Sequence, residues 1–267
     1  MKKDNYLYIL LHHSRTGGET FTSFVQANMP KEEILRVDDF DMPKELSERN
    51  KIRYLGGHTT YFGMHKLFPG KVPRYIITIR DPAKVKASMY NSRMMDFPEG
   101  KKQSFEKWLS LRKKNEMTSF FDEIYRSTNP NVVRSHRIRK WLRENILDKI
   151  DKTKTLHTFL KKLMRKQDTP NAEKQKFENA KKLLEECWLV CPSKSMKDVL
   201  ELLFKSMGIK PNLRKYKVKS RIQGELSILN KEVKERIYRE NPLDFKLYKY
   251  ALKMYKDKKK KIEAQLK

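Results

Sequence analysis

The chain has 267 residues, of which 38% are hydrophobic and 35% charged, and its 61 basic and 33 acidic side chains give a net charge of +28. This length predicts one large domain over residues 1–267, and two cysteines are too few for a disulfide scaffold. The longest apolar run near the N-terminus has only about six residues, which excludes a membrane span or a signal-peptide core there. We therefore expect a cytoplasmic protein whose charge attracts polyanions or nucleotide cofactors.

The first predicted elements are a short apolar strand, a glycine-rich turn and a helix. Residues 5–11 predict a buried parallel strand, and the helix extends from Gly18 to Asn28. α/β proteins bind phosphate at such a turn, because glycine lets the backbone approach the anion and the N–H groups of the helix start point at it. Arg15 adds a guanidinium that can bind phosphate or sulfate oxygens. The alternative is an ordinary tight turn that needs glycine only for its positive φ angle.

A second strand-to-helix unit follows after two short strands, predicted at 34–37 and 52–55, and a short helix at 65–68. Residues 74–79 form the strongest strand pattern of the sequence, and a helix is predicted over 83–93 with Asp81 as its N-cap.

Arg80 lies between these two elements, at the carboxyl end of the strand. Open α/β sheets bind their ligands at that end, and Ser88 on the following helix could add a hydrogen bond to a phosphate held by Arg80. The alternative is that Arg80 only pairs with Asp81 or caps a helix.

The rest of the chain is dominated by helical patterns. Helices are predicted over 104–115, 118–127, 132–148, 154–166, 172–186, 195–207, 225–239 and 242–262. One late strand, at 187–191, contains both cysteines, which we expect to be buried and reduced. Residues 149–180 are rich in lysine and weakly apolar, which indicates a helical insertion or a mobile segment. The predicted fold class is α/β, with a central parallel sheet flanked by helices and a helix-rich C-terminal half.

Several segments resemble those of one enzyme family. HHSRTGGETF is similar to the H-x-P-K-T-G-G-T-T-F segment of the carbohydrate sulfotransferases (sulfotransferase family 2), the group that contains the heparan sulfate 2-O- and 6-O-sulfotransferases. RYIITIRDPAKVKASMYN resembles their R-Y-I-T-x-L-R-D-P-x-x-R-x-x-S-x-Y segment, and GHTTYFGMHKLFPG their G-H-x-x-F-G-x-H stretch. Weaker helical blocks follow in the same order, so that the resemblance covers nearly the whole chain.

The resemblance implies a P-loop-NTPase-like sulfotransferase fold and a cofactor. That cofactor is PAPS (3′-phosphoadenosine 5′-phosphosulfate), which leaves as PAP, and the family uses no metal. By resemblance, the 5′-phosphosulfate is bound by Arg15, Thr16, Gly17, Gly18, Glu19, Thr20 and Phe21, the 3′-phosphate by Arg80 and Ser88, and a basic loop with Lys217, Lys219 and Arg221 closes over the phosphates. Asn131 and Arg134 match an element near the acceptor cleft. The expected acceptor is a hydroxyl of a glycan or glycolipid.

The catalytic residues expected from the resemblance are His58, Arg15 and Glu19. Histidine suits the base that takes the acceptor's proton, because its pKa of about 6.5 lies near working pH, and His12 and Glu19 are the reserves for that role. Arg15 replaces the family's lysine, and Glu19 replaces a threonine or serine. Glu19 is unfavourable beside an anion unless it faces the acceptor.

Two other functions fit the composition. A kinase-like phosphotransferase would need the lysine of a G-K-[ST] motif and an acidic residue at a strand end to bind Mg²⁺. Neither is visible in the sequence. A non-enzymatic polyanion-binding protein would use the net charge directly. We expect no specific nucleic-acid partner, and the sequence does not predict an oligomeric state.

Overall fold

A computed structural model describes residues 5–37, 46–95, 97–98, 102–126, 170–217 and 228–266. The helices predicted over 132–148 and 154–166 lie outside these residues, and so does most of the lysine-rich segment 149–180.

A five-stranded parallel sheet forms the centre of the protein, with the strand order β2-β3-β1-β4-β5. The strands are β1 (Tyr6–His12), β2 (Ile34–Arg36), β3 (Tyr54–Gly56), β4 (Val72–Ile79) and β5 (Leu189–Pro192). The middle strand, β1, is buried on both faces, as expected of an apolar strand in a parallel sheet covered by helices. The prediction of an α/β fold with a central parallel sheet flanked by helices is confirmed.

Helices surround the sheet and make up most of the described C-terminal half. They are α1 (Gly18–Asn28), α2 (Leu46–Lys51), α3 (Pro82–Met94), α4 (Phe105–Ser110), α5 (Glu116–Arg126), α6 (Pro170–Glu186), α7 (Met196–Met207), α8 (Lys231–Glu240) and α9 (Pro242–Gln265). In the described part of the chain, none of these helices is long and apolar enough to cross a membrane.

The helix predicted over 104–115 is shorter in the structure, and the helix predicted over 118–127 begins earlier, at Glu116. α4 ends at Ser110, and a turn leads to α5. Asn115 has a positive φ of 50°, and its backbone N–H donates to Asn241 Oδ1 while its own Oδ1 accepts from Leu243 N. These bonds join Asn115 to the start of α9, far along the chain, so a local helical pattern could not predict where the break lies.

The packing of the core brings the N-terminal and C-terminal halves together. Phe24 on α1 meets Phe204 on α7 edge to face, with ring centroids 5.6 Å apart. Cys187 and Cys191 are buried free thiols, as the sequence predicted, and burial raises the pKa of Cys187 to about 12. α9 packs against β5 and α6 and covers that part of the core.

Candidate anion-binding site

The carboxyl ends of β1, β3 and β4 meet at one edge of the sheet. His12, the last residue of β1, pairs in register with Thr78 of β4, so the loop from His13 to Gly17 leaves the sheet beside Arg80. β3 lies on the other side of β1 and delivers His58 two residues after its end. Three segments that are distant in sequence therefore converge at this edge, which is where open parallel sheets bind ligands.

Arg15 connects the first loop to the second strand-to-helix unit. Its Nε donates to Ser88 Oγ at 2.9 Å, and Arg80 Nη1 donates to the Arg15 carbonyl oxygen at 3.0 Å. Arg15 itself has a φ of 65°, in the left-handed region that non-glycine residues seldom adopt. The three residues predicted to bind the two ends of a nucleotide are thus joined by direct hydrogen bonds.

Thr16 anchors the loop from below. Its side chain is fully buried, its hydroxyl donates to the His13 carbonyl oxygen at 2.6 Å, and it lies 2.7 Å from Thr78 Oγ1. Because the single Thr16 hydroxyl proton goes to His13, the Thr78 hydroxyl donates in that second bond. Thr16 therefore holds the loop to β4 rather than projecting from it.

Close packing at the start of α1 requires glycine at position 18, and the left-handed backbone favours glycine at position 17. A Cβ at Gly18 would lie 2.2 Å from the His12 ring, and a Cβ at Gly17, where φ is 98°, would lie 2.4 Å from Met196 Cε. These contacts support the tight-turn interpretation of the glycines. Gly17 is the N-cap of α1 and makes no side-chain capping bond. A helix start of this kind attracts anions.

Glu19 contacts both Arg36 and His58 beside the loop. Glu19 Oε1 accepts from Arg36 Nη2 at 3.0 Å and lies 3.4 Å from His58 Nε2, while the His12 and His58 rings are 5.0 Å apart. The side chains of Glu19 and His58 are 42% and 58% exposed. The Glu19 carboxylate is thus paired with Arg36 and contacts the predicted base.

Asp81 caps α3, as the sequence predicted. Its Oδ1 accepts from Ala83 N at 2.9 Å and Lys84 N at 3.2 Å, and its Oδ2 accepts from Tyr238 Oη at 2.8 Å. Burial, with the Asp81 carboxylate second, raises the pKa of Tyr238 well above its usual value. Both carboxylate oxygens of Asp81 are therefore used to hold α3 and α8 in place.

A buried ionic cluster behind the loop was not predicted. Lys86 Nζ donates to Glu116 Oε2 at 2.7 Å, and the Lys86 side chain is 3% exposed. His13 lies against the same pair, and burial lowers the pKa of His13 to about 4, with a smaller opposing effect of Glu116. No local sequence pattern indicates that His13 and Lys86 meet.

The remaining predicted residues lie in different surroundings. The Phe21 side chain is in the core, stacked on Tyr54 with ring centroids 6.4 Å apart, and Thr20 is buried. Lys217 is exposed at the end of a described segment. Lys219, Arg221, Asn131 and Arg134 lie outside the described residues, so their predicted roles stay predictions. Within the described residues there is no group of three or more metal-binding side chains.

Comparison of the chain with models of protein families finds no match, and comparison with curated proteins finds none either.

Proposed function

We propose that the protein is a sulfotransferase that moves the sulfuryl group of PAPS to a hydroxyl of a glycan or glycolipid acceptor. The observation that carries this proposal is the chain of hydrogen bonds from Arg80 through Arg15 to Ser88. It joins the two loops that the family uses for the opposite ends of the same nucleotide, although the loops are more than sixty residues apart.

The cations at this edge fit a ligand with two separate anionic groups. Arg15 stands at the uncapped start of α1, where the helix dipole favours a negative charge. Arg80 leaves β4 on the side of α3, and its planar guanidinium can donate two parallel bonds to a second phosphate. The start of α3 is already capped by Asp81, so the 5′-phosphosulfate belongs at α1 and the 3′-phosphate at Arg80.

The protein's catalytic contribution is positional and electrostatic. When bound, PAPS supplies the activated sulfuryl group. Arg15 is placed to stabilise negative charge on the leaving phosphate oxygen, and His58 takes the proton of the acceptor hydroxyl. Glu19 holds the His58 ring through Nε2, and Arg36 fixes Glu19 in turn. Positioning of this kind is how such transfers are accelerated, because the reacting groups must lie in line.

Titration with nucleotides tests the proposal. Calorimetry with PAP, AMP and ATP–Mg²⁺ should give the tightest binding for PAP, because only PAP places a phosphate at each of the two cationic positions. Equal affinities for PAP and AMP would contradict the proposed 3′-phosphate contact. Preferential binding of ATP–Mg²⁺ would favour a phosphotransferase, for which the strand-end Asp81 would have to give up its capping bonds.

Turnover tests the catalytic assignment separately. With PAPS and a panel of glycan acceptors, His58→Ala should lower kcat by about 10²–10⁴-fold, the usual contribution of a general base. PAP affinity should stay the same, because His58 is not among the residues that bind the cofactor. His65→Ala is a matched control, since His65 lies on a neighbouring turn and bonds to Tyr75 Oη instead.

A further inference from the structure

The last helix, α9, carries a row of five exposed lysines. The row consists of Lys246, Lys249, Lys253, Lys256 and Lys260. Alternating steps of three and four residues keep these side chains on one side of a helix. At 1.5 Å per residue the row is about 21 Å long. We call it the lysine row.

The lysine row lies opposite the buried side of α9. The buried residues of that side are Asp244, Leu247, Ala251, Tyr255 and Ile262. Because the helix packs on the core through that side, the backbone positions of the five lysines are fixed in a line on its solvent-exposed side. The lysines therefore form a convex surface.

Nothing in the described part of the chain neutralises this row. None of its five ammonium groups has a carboxylate within ion-pair distance there, whereas Lys259, on the flank of the same helix, lies 3.5 Å from Asp198 and 3.8 Å from Glu263. The segment 245–262 contains eight lysines and a single acidic residue, Asp257. Like charges three and four residues apart repel one another on a helix, so a bound polyanion would relieve a repulsion that the folded chain leaves uncompensated.

The spacing and residue type favour a phosphodiester backbone. Successive lysines are about 4.5 or 6 Å apart along the axis, and duplex nucleic acid carries one charge per about 1.7 Å, so each lysine can meet a phosphate in any register. Polysaccharides whose only charges are uronic carboxylates carry too few charges to match every lysine of the row, and sulfated glycans are an outcome of the test below. Helices that lie on membranes use an apolar side for binding, and here that side is buried in the core.

We propose that the lysine row binds the phosphate backbone of duplex nucleic acid without sequence preference. Lysine suits this role because it is a flexible point charge, without the planar fork that arginine uses for reading guanine. The row presents no exposed aromatic side chain for stacking on unpaired bases. The proposal does not depend on sulfotransferase activity.

Salt dependence tests the proposal with a matched pair of variants. One replaces the five lysines of the row by glutamine, and the control replaces five exposed lysines on other elements, Lys31, Lys51, Lys66, Lys107 and Lys210. Both lose the same charge. Affinity for a labelled duplex of about 20 base pairs is measured by anisotropy between about 50 and 200 mM NaCl.

The row variant should reduce the slope of log K against log salt by about four to five, since each phosphate contact contributes about 0.9. The control should change the slope by less than one, and two duplexes of unrelated sequence should bind the wild type within about twofold, as contacts to the backbone alone require. Equal losses in the two variants would assign binding to diffuse charge and overturn the proposal. So would a row variant that loses heparin or anionic-vesicle binding but keeps duplex binding.

Two controls separate this result from misfolding and from the proposed enzyme. Thermal unfolding of the row variant should occur at the wild-type temperature or slightly above it, because its substitutions touch only exposed side chains and remove their mutual repulsion. Calorimetry with PAP should be unchanged in the same variant. If the wild-type protein binds the duplex as expected but does not bind PAP, the proposed function is wrong and this inference stands. If it binds PAP but not the duplex, this inference is wrong and the proposed function stands.

Discussion

Two helices begin side by side at the carboxyl edge of the sheet, and their starts are built in opposite ways. α1 follows β1 and has Gly17 as N-cap, with no side-chain capping bond. α3 follows β4 and has Asp81 as N-cap, whose carboxylate accepts two backbone N–H groups and the Tyr238 hydroxyl. The chain supplies its own anion to one helix start, and the other start is surrounded by Arg15 and the glycine turn. The backbone N–H groups at the start of α1 are therefore expected to bind a ligand anion, whereas those at the start of α3 are taken by Asp81.

His13 precedes α1 in the chain and lies against the start of α3. Its protonation should have the largest effect of the changes considered, and the effect is on the free energy of unfolding. Burial lowers the pKa of His13 to about 4 from the usual 6.5. Between pH 6.5 and about pH 4, His13 is protonated in the unfolded chain but not in the folded protein. Protonation therefore favours the unfolded state, and the free energy of unfolding decreases as the pH falls through this window. The loss amounts to about 3 kcal/mol.

The measurement is the free energy of unfolding by urea at several pH values, for the wild type and for His13→Gln. Glutamine does not titrate, so the difference between the two curves isolates His13 from the carboxylates that titrate in both proteins. The wild type should lose stability relative to the variant from pH 6.5 downward. Parallel curves would mean that His13 is accessible to protons in the folded state.

Removing Arg15 should weaken the binding of PAP at the start of α1. Arg15→Ala removes the cation beside the uncapped helix start and the bond to Ser88, and one charged hydrogen bond to a ligand contributes about 1.5–3 kcal/mol. PAP affinity should fall by at least about tenfold, and up to about a hundredfold. Arg15→Lys keeps the charge at this position, so it should bind PAP within about tenfold of the wild type.

The control for this prediction is Arg93→Ala, which removes an exposed arginine from the far end of α3. It changes the net charge equally and should leave PAP affinity unchanged. If both alanine variants weaken binding to the same extent, the effect comes from overall charge and Arg15 has no special role.

Adding a methyl group at Gly18 tests whether packing requires the glycine turn. A Cβ there would lie 2.2 Å from the His12 ring, so His12 must move or the loop must shift. Gly18→Ala should lower the free energy of unfolding by about 2 kcal/mol, within the usual range for overpacking. Gly70→Ala is the matched control, since no atom lies within 4 Å of its added Cβ, and it should cost only about 1 kcal/mol from its positive φ. Equal losses in both would refute the packing explanation.

The smallest effect is expected at the α3 side. Asp81→Ala removes a cap and should lower stability by about 1 kcal/mol. Asp81→Asn can still accept the capping bonds, so it should unfold at nearly the wild-type free energy. Because it removes a negative charge next to Arg80, it should also bind PAP slightly more tightly. Weaker binding by Asp81→Asn would show that the carboxylate orients Arg80.

Local sequence patterns were enough for the elements that surround the site. α1 was predicted with its observed ends, and the strand β4, the cap at Asp81 and the helix after Pro82 were all predicted from neighbouring residues. Each of these features depends on a pattern only a few residues long, such as an apolar run or a capping residue. The exposed lysines of α9 also follow from the sequence once its apolar face is recognised.

Only the tertiary structure decided how these elements meet. The order of the strands places the ends of β3 and β4 on either side of β1, and from this follow the bond from Arg15 to Ser88 and the contact between Glu19 and His58. The burial of His13 beside Lys86 likewise requires α3 and α5 to pack together. Such contacts join residues tens of positions apart. They depend on sheet order and helix packing, to which local spacing contributes nothing, so the sequence determined the parts of the site and the fold determined its geometry.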